Sequence, residues 1–289
     1  MKVAGFTFIR NALLYDYPIV ESILSILPIC DEFVVAVGQS DDETLELIQG
    51  MQSDKIKIIE TVWDDSLREG GRVLALETDK AFRAISKDVD WAFYIQGDEV
   101  VHEKYLPIIA QAMKEWKDDD GVEGLLFDYV HFYGSYDYVG LSPKWYANEI
   151  RVIKNNPEIY SYRDAQGFRK GDNQKLWVKK IDAAIYHYGW VKPPQKMQKK
   201  QETFNKLWHD DEWMEQNVAK REDFDYSEID ALQQFEGSHP QVMQKRIQEK
   251  NWRFDYDLSQ NSLSLKYRAK LFVKKYLGLD FSYKNYRLK

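Results

Sequence analysis

A chain of 289 residues with an ordinary apolar fraction of 44% can bury a core as one large domain or two smaller ones. Its net charge of -7 disfavours a general nucleic-acid binder, which needs a basic footprint, and broad adhesion to anionic membrane outside one local stretch near the C-terminus. Cys30 is the sole cysteine, so there is neither an intrachain disulfide nor a thiolate metal cluster, and its setting in LPICDEF points to burial over reactivity.

Aromatic residues are abundant: 19 Tyr, 14 Phe and 9 Trp. Such side chains fill cores, and their flat apolar faces with polar edges also suit sugars and partner surfaces. The start MKVAGFTFIRN lacks a signal-peptide layout, and no run approaches bilayer-spanning length. A cytoplasmic, reducing setting is therefore the expectation.

In chain order, Lys2–Ile9 reads as a strand with Arg10 and Asn11 as its polar exit. Tyr17–Leu27 has helical apolar spacing, with Pro18 suited to the first turn. Asp31–Val37 is a second strand. Ser40-Asp41-Asp42-Glu43 supplies a Ser or Asp cap and acidic first-turn residues for a helix over Thr44–Met51. Lys55–Ile59 is a third strand, and Arg72–Ile85 a helix with Leu76, Ala81 and Ile85 turned inward. Val89–Val101, VDWAFYIQGDEVV, reads as a buried strand that ends in an acidic turn.

Strands and helices alternating in this way predict an α/β fold whose mixed, mostly parallel sheet is flanked by helices. Ligands of such sheets sit beyond the carboxyl ends of the strands. That rule puts weight on Arg10, Asn11, Gln39–Asp42 and Gln96–Glu99. Leu106–Trp116 reads as a helix, and Gly124–Phe132 as a strand interrupted by Asp128 and His131. Tyr133–Tyr146 is an irregular, aromatic-rich middle. Arg151–Ile153 and Lys175–Val178 are short strands, and Ala183–Gly189 is a strand end opening into a loop. Lys192–Lys200 reads as a loop and Gln201–Asn217 as a helix. Phe254–Asn261 is a polar bridge to a basic, aromatic tail.

Asp98 and Glu99 at a strand exit are the residue types that hold Mg2+ or Mn2+ together with substrate phosphates. Gly97 beside them lets a diphosphate approach the backbone. A solvated acidic turn is the plain alternative. His187, between Tyr186 and Tyr188, can complete a metal site, contact phosphate or be structural. Arg10, Arg68 and Arg72 are candidate neutralisers of a diphosphate; Arg72 opens a helix, where a cation fits poorly with the dipole unless an anion is bound. Asp164 and Asp172 bracket AQGFRKG and, with Asp128, are the candidate general bases.

These segments together resemble the family 2 nucleotide-sugar glycosyltransferases of the GT-A fold. VAGFTFIRN is similar to their first strand and its exit. DEFVVAVGQSDDETLELI is similar to the second strand with an S-x-D-x-T helix start at Ser40, Asp42 and Thr44. GRVLALETDKAF and DWAFYIQGDEVV resemble the stretch that ends in an Asp-x-Asp metal motif, and YHYG the downstream His loop. The resemblance covers Lys2–Val101 and returns near His187. It implies a GT-A-like catalytic domain over 1–200, with a nucleotide-binding half 1–101 and an acceptor half 102–200, followed by a helical extension over 201–289.

It further implies that Mn2+ or Mg2+ is held by Asp98, Glu99 and His187. Arg68 or Arg72 would face the diphosphate of a nucleoside diphosphate sugar, alongside Arg10, Asn11 and Gln96. Transfer to an acceptor hydroxyl would proceed with inversion, and the aromatic segment Tyr129–Trp145 would face the acceptor. Two departures are visible: Gln96 stands at the first Asp position of the metal motif, and Val37-Gly38 at the acidic pair that ends the second strand.

Two other readings compete. A nucleotidyltransferase of the same fold would carry a Gly-rich basic loop after the first strand, which FIRNALLYDY lacks. A non-catalytic glycan-binding or assembly protein would keep the fold without the metal site, as Gln96 suggests. The tail over 265–289 suits either packing on the acidic body or lying peripherally on the inner face of an anionic membrane, the latter agreeing with a glycan or lipid-linked glycan acceptor.

Overall fold

The computed structural model describes residues 1–218, 221–277 and 283–289. β1 (Val3–Ile9) leads through α1 (Ile19–Ile26) to β2 (Glu32–Gly38), through α2 (Thr44–Gln49) to β3 (Ile56–Thr61), and through α3 (Arg72–Arg83) to β4 (Trp91–Tyr94). β1, β2 and β4 are buried at nearly every position, because helices cover both of their faces. β1 pairs in parallel with β2 on one side and β4 on the other, and β2 pairs with β3. The chain thus leaves β1 in one direction and returns past it in the other. That reversal opens a crevice at the carboxyl ends of β1 and β4.

After a turn at Gln96–Asp98 come β5 (Glu99–Val101), α4 (Leu106–Glu115), β6 (Gly124–Tyr133), β7 (Tyr138–Gly140) and β8 (Asn148–Lys154). A separate three-stranded sheet follows, formed by β9 (Ile159–Tyr162), β10 (Gly167–Lys170) and β11 (Gln174–Lys175). β12 (Trp177–Trp190) then runs parallel along β6 and antiparallel to β5, while β8 lies antiparallel between β4 and β6. The C-terminal extension contains α5 (Pro194–Asn205), α6 (Asp211–Asn217), β13 (Leu232–Gln234), α7 (Gln244–Gln248), α8 (Leu265–Leu277) and β14 (Arg287–Leu288). β13 pairs with β7 and β14 with β12, so the extension supplies strands as well as helices. The whole is a mixed, mostly parallel sheet flanked by helices, with an aromatic-rich core and a helical C-terminal extension.

Core residues lie on both faces of the sheet. Phe33, Val35, Trp91 and Phe93 pack toward α1 and α4, and Phe6, Val34, Tyr94 and Phe168 toward α3. Each Val and Phe among them contributes about 1.5–3 kcal/mol on burial. Cys30 is buried, and burial pushes its thiol up to about 12, as its apolar neighbours lead one to expect.

Several local expectations are corrected. The stretch Val89–Val101 is two strands around a turn, because Glu99 N donates to Gln96 O at 3.0 Å and reverses the chain. Leu76 is exposed, since the buried face of α3 is carried by Val73, Leu74, Ala81 and Phe82. Ala183–Gly189 lies inside a continuous 14-residue strand held by β6. The expected loop 192–200 enters α5, for Pro194 occupies a first-turn position where its missing N–H costs nothing. The α8 part of the basic tail leaves Leu265, Phe272, Tyr276 and Leu277 exposed, whereas Tyr286 is buried. Residues 278–282 of that tail lie outside the described residues. No described helix is long and apolar enough to cross a membrane.

One ion pair ties the turn after β4 to the second half of the sheet. Arg151 of β8 donates through Nε and Nη2 to the two carboxylate oxygens of Glu99, each at 2.8 Å, with both side chains fully buried. Removing one partner leaves an uncompensated buried charge, so Arg151→Met and Glu99→Gln should each destabilise the fold by about 3–5 kcal/mol. The paired replacement Arg151→Met/Glu99→Leu should cost less than the sum of the two. Urea denaturation monitored by tryptophan fluorescence checks both statements; a loss below about 1 kcal/mol for either single variant contradicts them.

Candidate functional site

The crevice is a cavity of about 960 Å3 lined from the ends of β1 and β4, the loop after β3, the β9–β10 turn and α5. Arg10 and Asn11 enter it from β1. Asn11 adopts a φ of 55°, a left-handed conformation that asparagine tolerates. Its amide exchanges hydrogen bonds with Asp41: Nδ2 donates to Oδ2 at 3.1 Å, and Asp41 N donates to Oδ1 at 2.7 Å.

The Ser40–Thr44 segment serves the same loop. Ser40 Oγ accepts from Asn11 N, Thr44 Oγ1 from Ala12 N and Asp42 from Leu14 N, while α2 begins without a side-chain cap. The polar residues expected to start a helix therefore shape the cavity wall.

Arg10 pairs with Asp65 at 2.6 Å and lies 5.6 Å over the ring of Trp63. Trp63 reaches the end of β2 because residue 38 is glycine; a Cβ there would stand 2.4 Å from the indole nitrogen. An acidic side chain at Gly38 is thus incompatible with this tryptophan. Arg68 donates to Asp211 at 2.8 Å and to the Lys206 carbonyl at 2.9 Å, and its buried Nη2 has no protein partner. Arg72 is a correction. It is exposed and outside the cavity lining, since the period of α3 turns Val73 and Leu74 inward and residue 72 toward solvent.

Gln96 and Asp98 line the cavity, but Glu99 is not part of its lining. Its oxygens are occupied by Arg151, the Tyr129 hydroxyl at 2.8 Å and Gln96 N at 3.1 Å. The expected trio Asp98, Glu99 and His187 is thereby broken at Glu99. Among the described residues, no group of three or more His, Cys, Asp or Glu is arranged to hold a metal ion. Gln96 Nε2 donates to the Ala165 carbonyl at 3.2 Å, a bond that a carboxylate at this position could not make.

Asp98 meets a different cation. Lys200 of α5 places its ammonium 3.2 Å from Asp98 Oδ2 and 3.0 Å from the Gly189 carbonyl. Burial pushes the Asp98 carboxyl up, but Lys200, His187 and Lys192 outweigh it and hold the group well below the usual carboxylate range.

His187 Nε2 lies 3.8 Å from Asp98 Oδ1. Burial, reinforced by the neighbouring ring, lowers His131 to about 3; burial lowers His187 to about 4 despite the attraction of Asp98, so both are neutral near pH 7. The tautomers follow from their partners. His131 Nε2 is 2.8 Å from the Tyr146 carbonyl, which only accepts, so that nitrogen carries the proton. His131 Nδ1 must then accept from His187 Nδ1 at 3.2 Å. A lone pair remains on His187 Nε2, directed to the side of Asp98.

Of the candidate bases, only Asp164 lines the cavity, and burial raises its carboxyl above the ordinary value. It sits in a tight turn between Arg163 and Ala165, whose φ values are 56° and 61°. Asp172 is in the exposed turn at the far end of β10, and Asp128 pairs with Lys180 at 2.8 Å outside the cavity lining. Sequence reasoning missed Lys200, Lys192, Arg151, Trp63 and Trp190. Buried lysines leave no periodic signal, and an arginine inside a strand resembles an exposed one.

No family model matches the chain, and no curated protein matches it. Among solved structures it is similar to TarS of S. aureus, at 14% identity over 70% of this chain and 38% of that one, with a TM-score of 0.39. It is similar to glucosyl-3-phosphoglycerate synthase from Mycobacterium tuberculosis in complex with Mn2+, uridine diphosphate and phosphoglyceric acid, at 17% identity over 45% and 43% of the two chains, with a TM-score of 0.31. A third is 4-diphosphocytidyl-2C-methyl-D-erythritol synthase from Anaerococcus prevotii, at 9% identity over 53% and 70%, with a TM-score of 0.32. The chain spans less than half the length of the first two. Likenesses at this level leave the chemistry of the site to its own residues.

The histidine pair carries a pH signature. Both folded values lie below the ordinary 6.5, so the unfolded chain binds these protons first and stability falls as pH drops from about 6.5 to about 4. Asp98, held low, stays charged across that window. The unfolding free energy of the wild type should therefore decline through it, and that of His187→Asn should decline less steeply. Urea titrations at stepped pH check this, and equal slopes contradict it.

Proposed function

We propose that the chain is a GT-A-like glycosyltransferase that moves a sugar from a nucleoside diphosphate sugar to an acceptor hydroxyl with inversion. One observation carries the reading. The cavity at the carboxyl ends of β1 and β4 is lined by Arg10, Arg68 and Lys200 together with Asp164, whose carboxyl is raised by burial. Cations suit a diphosphate, and a carboxylate whose proton affinity is raised suits proton removal from a hydroxyl. Trp63, beside Arg10, offers a face for the nucleobase.

In this reaction the acceptor oxygen bonds to the anomeric carbon as the bond from that carbon to the diphosphate oxygen breaks. The leaving oxygen keeps the electron pair, and the acceptor proton passes to Asp164. Arg10 and Arg68 exchange their present carboxylate partners for the charge that grows on the diphosphate. Mn2+ or Mg2+ does not fit the donor set: Glu99 is consumed by Arg151, Gln96 is an amide bonded to Ala165, and Lys200 sits on Asp98. No step is assigned to a metal.

A second depression, lined by Tyr133, Trp145, Trp190 and Phe224, adjoins the first and shares Trp145 and Trp190 with it. Indole faces stack on sugar rings, which supports a glycan as acceptor. The exposed Phe272, Tyr276 and Leu277 of the basic helix α8 suit a peripheral contact with an anionic bilayer and hence a lipid-linked glycan. In this scheme residues 1–101 serve the nucleotide, 102–200 the acceptor except for Lys200, which faces the diphosphate, and 201–289 extend the catalytic domain.

Asp164→Asn tests the reading. Wild type should show a thermal shift with one of UDP, GDP, CDP or dTDP and should hydrolyse the matching sugar nucleotide slowly without acceptor. The variant should keep the shift and lose acceptor-dependent turnover by about 10^2–10^4-fold. Unchanged turnover removes Asp164 as base. Binding without any wild-type turnover favours a glycan-binding or assembly protein, and no shift with any nucleotide overturns the proposal.

A further inference from the structure

Asp98 Oδ2 and the Gly189 carbonyl converge on the Lys200 ammonium, and His187 Nε2, with its lone pair, lies beside them at 3.8 Å from Asp98 Oδ1; a carboxylate, a carbonyl and an imidazole nitrogen are all donors to a cation. That seat is filled by the chain itself. Lys200 is only 8% exposed, projects from α5, and lies 5.0 Å over the Tyr17 ring and 5.7 Å over the Phe204 ring. Its stem is therefore packed and its ammonium is delivered to a fixed place. Residue 189 must be glycine for this approach: a Cβ would come within 2.7 Å of both Asp98 Oδ2 and His187 Nε2.

We propose that Lys200 is the resident cation of this site, standing where a divalent metal would otherwise bind and meeting an anionic phosphate without one. Three features agree. The seat holds a single carboxylate, which one ammonium neutralises and a divalent ion would not. The position two residues before Asp98 is an amide, Gln96, already engaged by Ala165. The neighbourhood also resists more positive charge: burial, and next the Lys200 ammonium, hold the buried Lys192 well below its ordinary value. The inference rests on the proposed function for the nature of the phosphate, but not for the identity of the cation.

Mn2+ titration followed by the EPR signal of the free ion tests the seat with the metal alone. Wild type and Asp98→Asn should bind Mn2+ equally poorly. Lys200→Met should gain Mn2+ affinity by at least about tenfold, the ratio produced by a coupling of about 1.4 kcal/mol, and Asp98→Asn should abolish the gain. Lys200→Gln repeats the test should the methionine variant fold poorly, with circular dichroism melts as the control, and Lys200→Arg should behave as wild type. Inorganic pyrophosphate should bind the wild type equally in EDTA and in Mn2+, and should bind Lys200→Met only with Mn2+.

Tight Mn2+ binding by the wild type that Asp98→Asn removes overturns the inference. So does the absence of any gain in folded Lys200→Met and Lys200→Gln. Failure of every nucleoside diphosphate to bind, with the Mn2+ pattern intact, sinks the proposed function while leaving Lys200 as the resident cation.

Discussion

The salt bridge between Glu99 and Arg151 is the constraint on which the geometry of the site depends. Its two charges sit at the centre of the sheet, between the rings of Tyr94 and Tyr129, each 5.3 Å from the guanidinium carbon. The remaining Arg151 donor reaches the Ile150 and Gln166 carbonyls at 2.9 and 3.2 Å. One guanidinium thus holds the turn after β4, the strand β8 and the segment that follows Asp164. Buried ion pairs add little net stability, but they make misregistered packings costly. Here the pair joins the turn that carries Asp98 to the segment that follows Asp164.

The first hundred residues were largely legible because buried parallel strands read as apolar runs and the helices between them keep their period. The site was legible by region and not by residue. Asp98 ends a turn and Glu99 begins a strand, and a sequence does not say which of two adjacent acids meets the cavity. Asp164 and Asp172 lie in the turns at the two ends of the same short strand, β10; only the fold tells which end faces the ligand. α5 was hidden because its buried positions are Met197, Gln198 and Lys200, a pattern with no hydrophobic stripe. The acidic segment after β2 was read as a helix cap, but its N-cap residue makes no side-chain cap, and Ser40, Asp42 and Thr44 instead accept from the loop after β1.

Neighbouring polar groups in the site have distinct tasks. Glu99 is structural, Asp98 holds an ammonium, and Gln96 fastens the β9–β10 turn through a donor that a carboxylate lacks. His131 and His187 form a neutral relay that ends in an unshared lone pair. Where an Asp-x-Asp pattern would place two acids, this chain has an amide bonded to the Ala165 carbonyl and an acid bonded to the Lys200 ammonium.

Arg10 and Arg68 are held in the resting protein by Asp65 and Asp211, whose side chains are 67% and 81% exposed. These carboxylates are tethered competitors. Any anion entering the cavity must displace a partner that is always present at an effective concentration on the order of millimolar. A singly charged ion gains little by that exchange, whereas a ligand that engages both arginines at once displaces both competitors in one event and frees them to water. Under the proposed function, the cavity would thereby discriminate by valence, favouring a ligand that reaches both arginines over a singly charged ion without any steric gate.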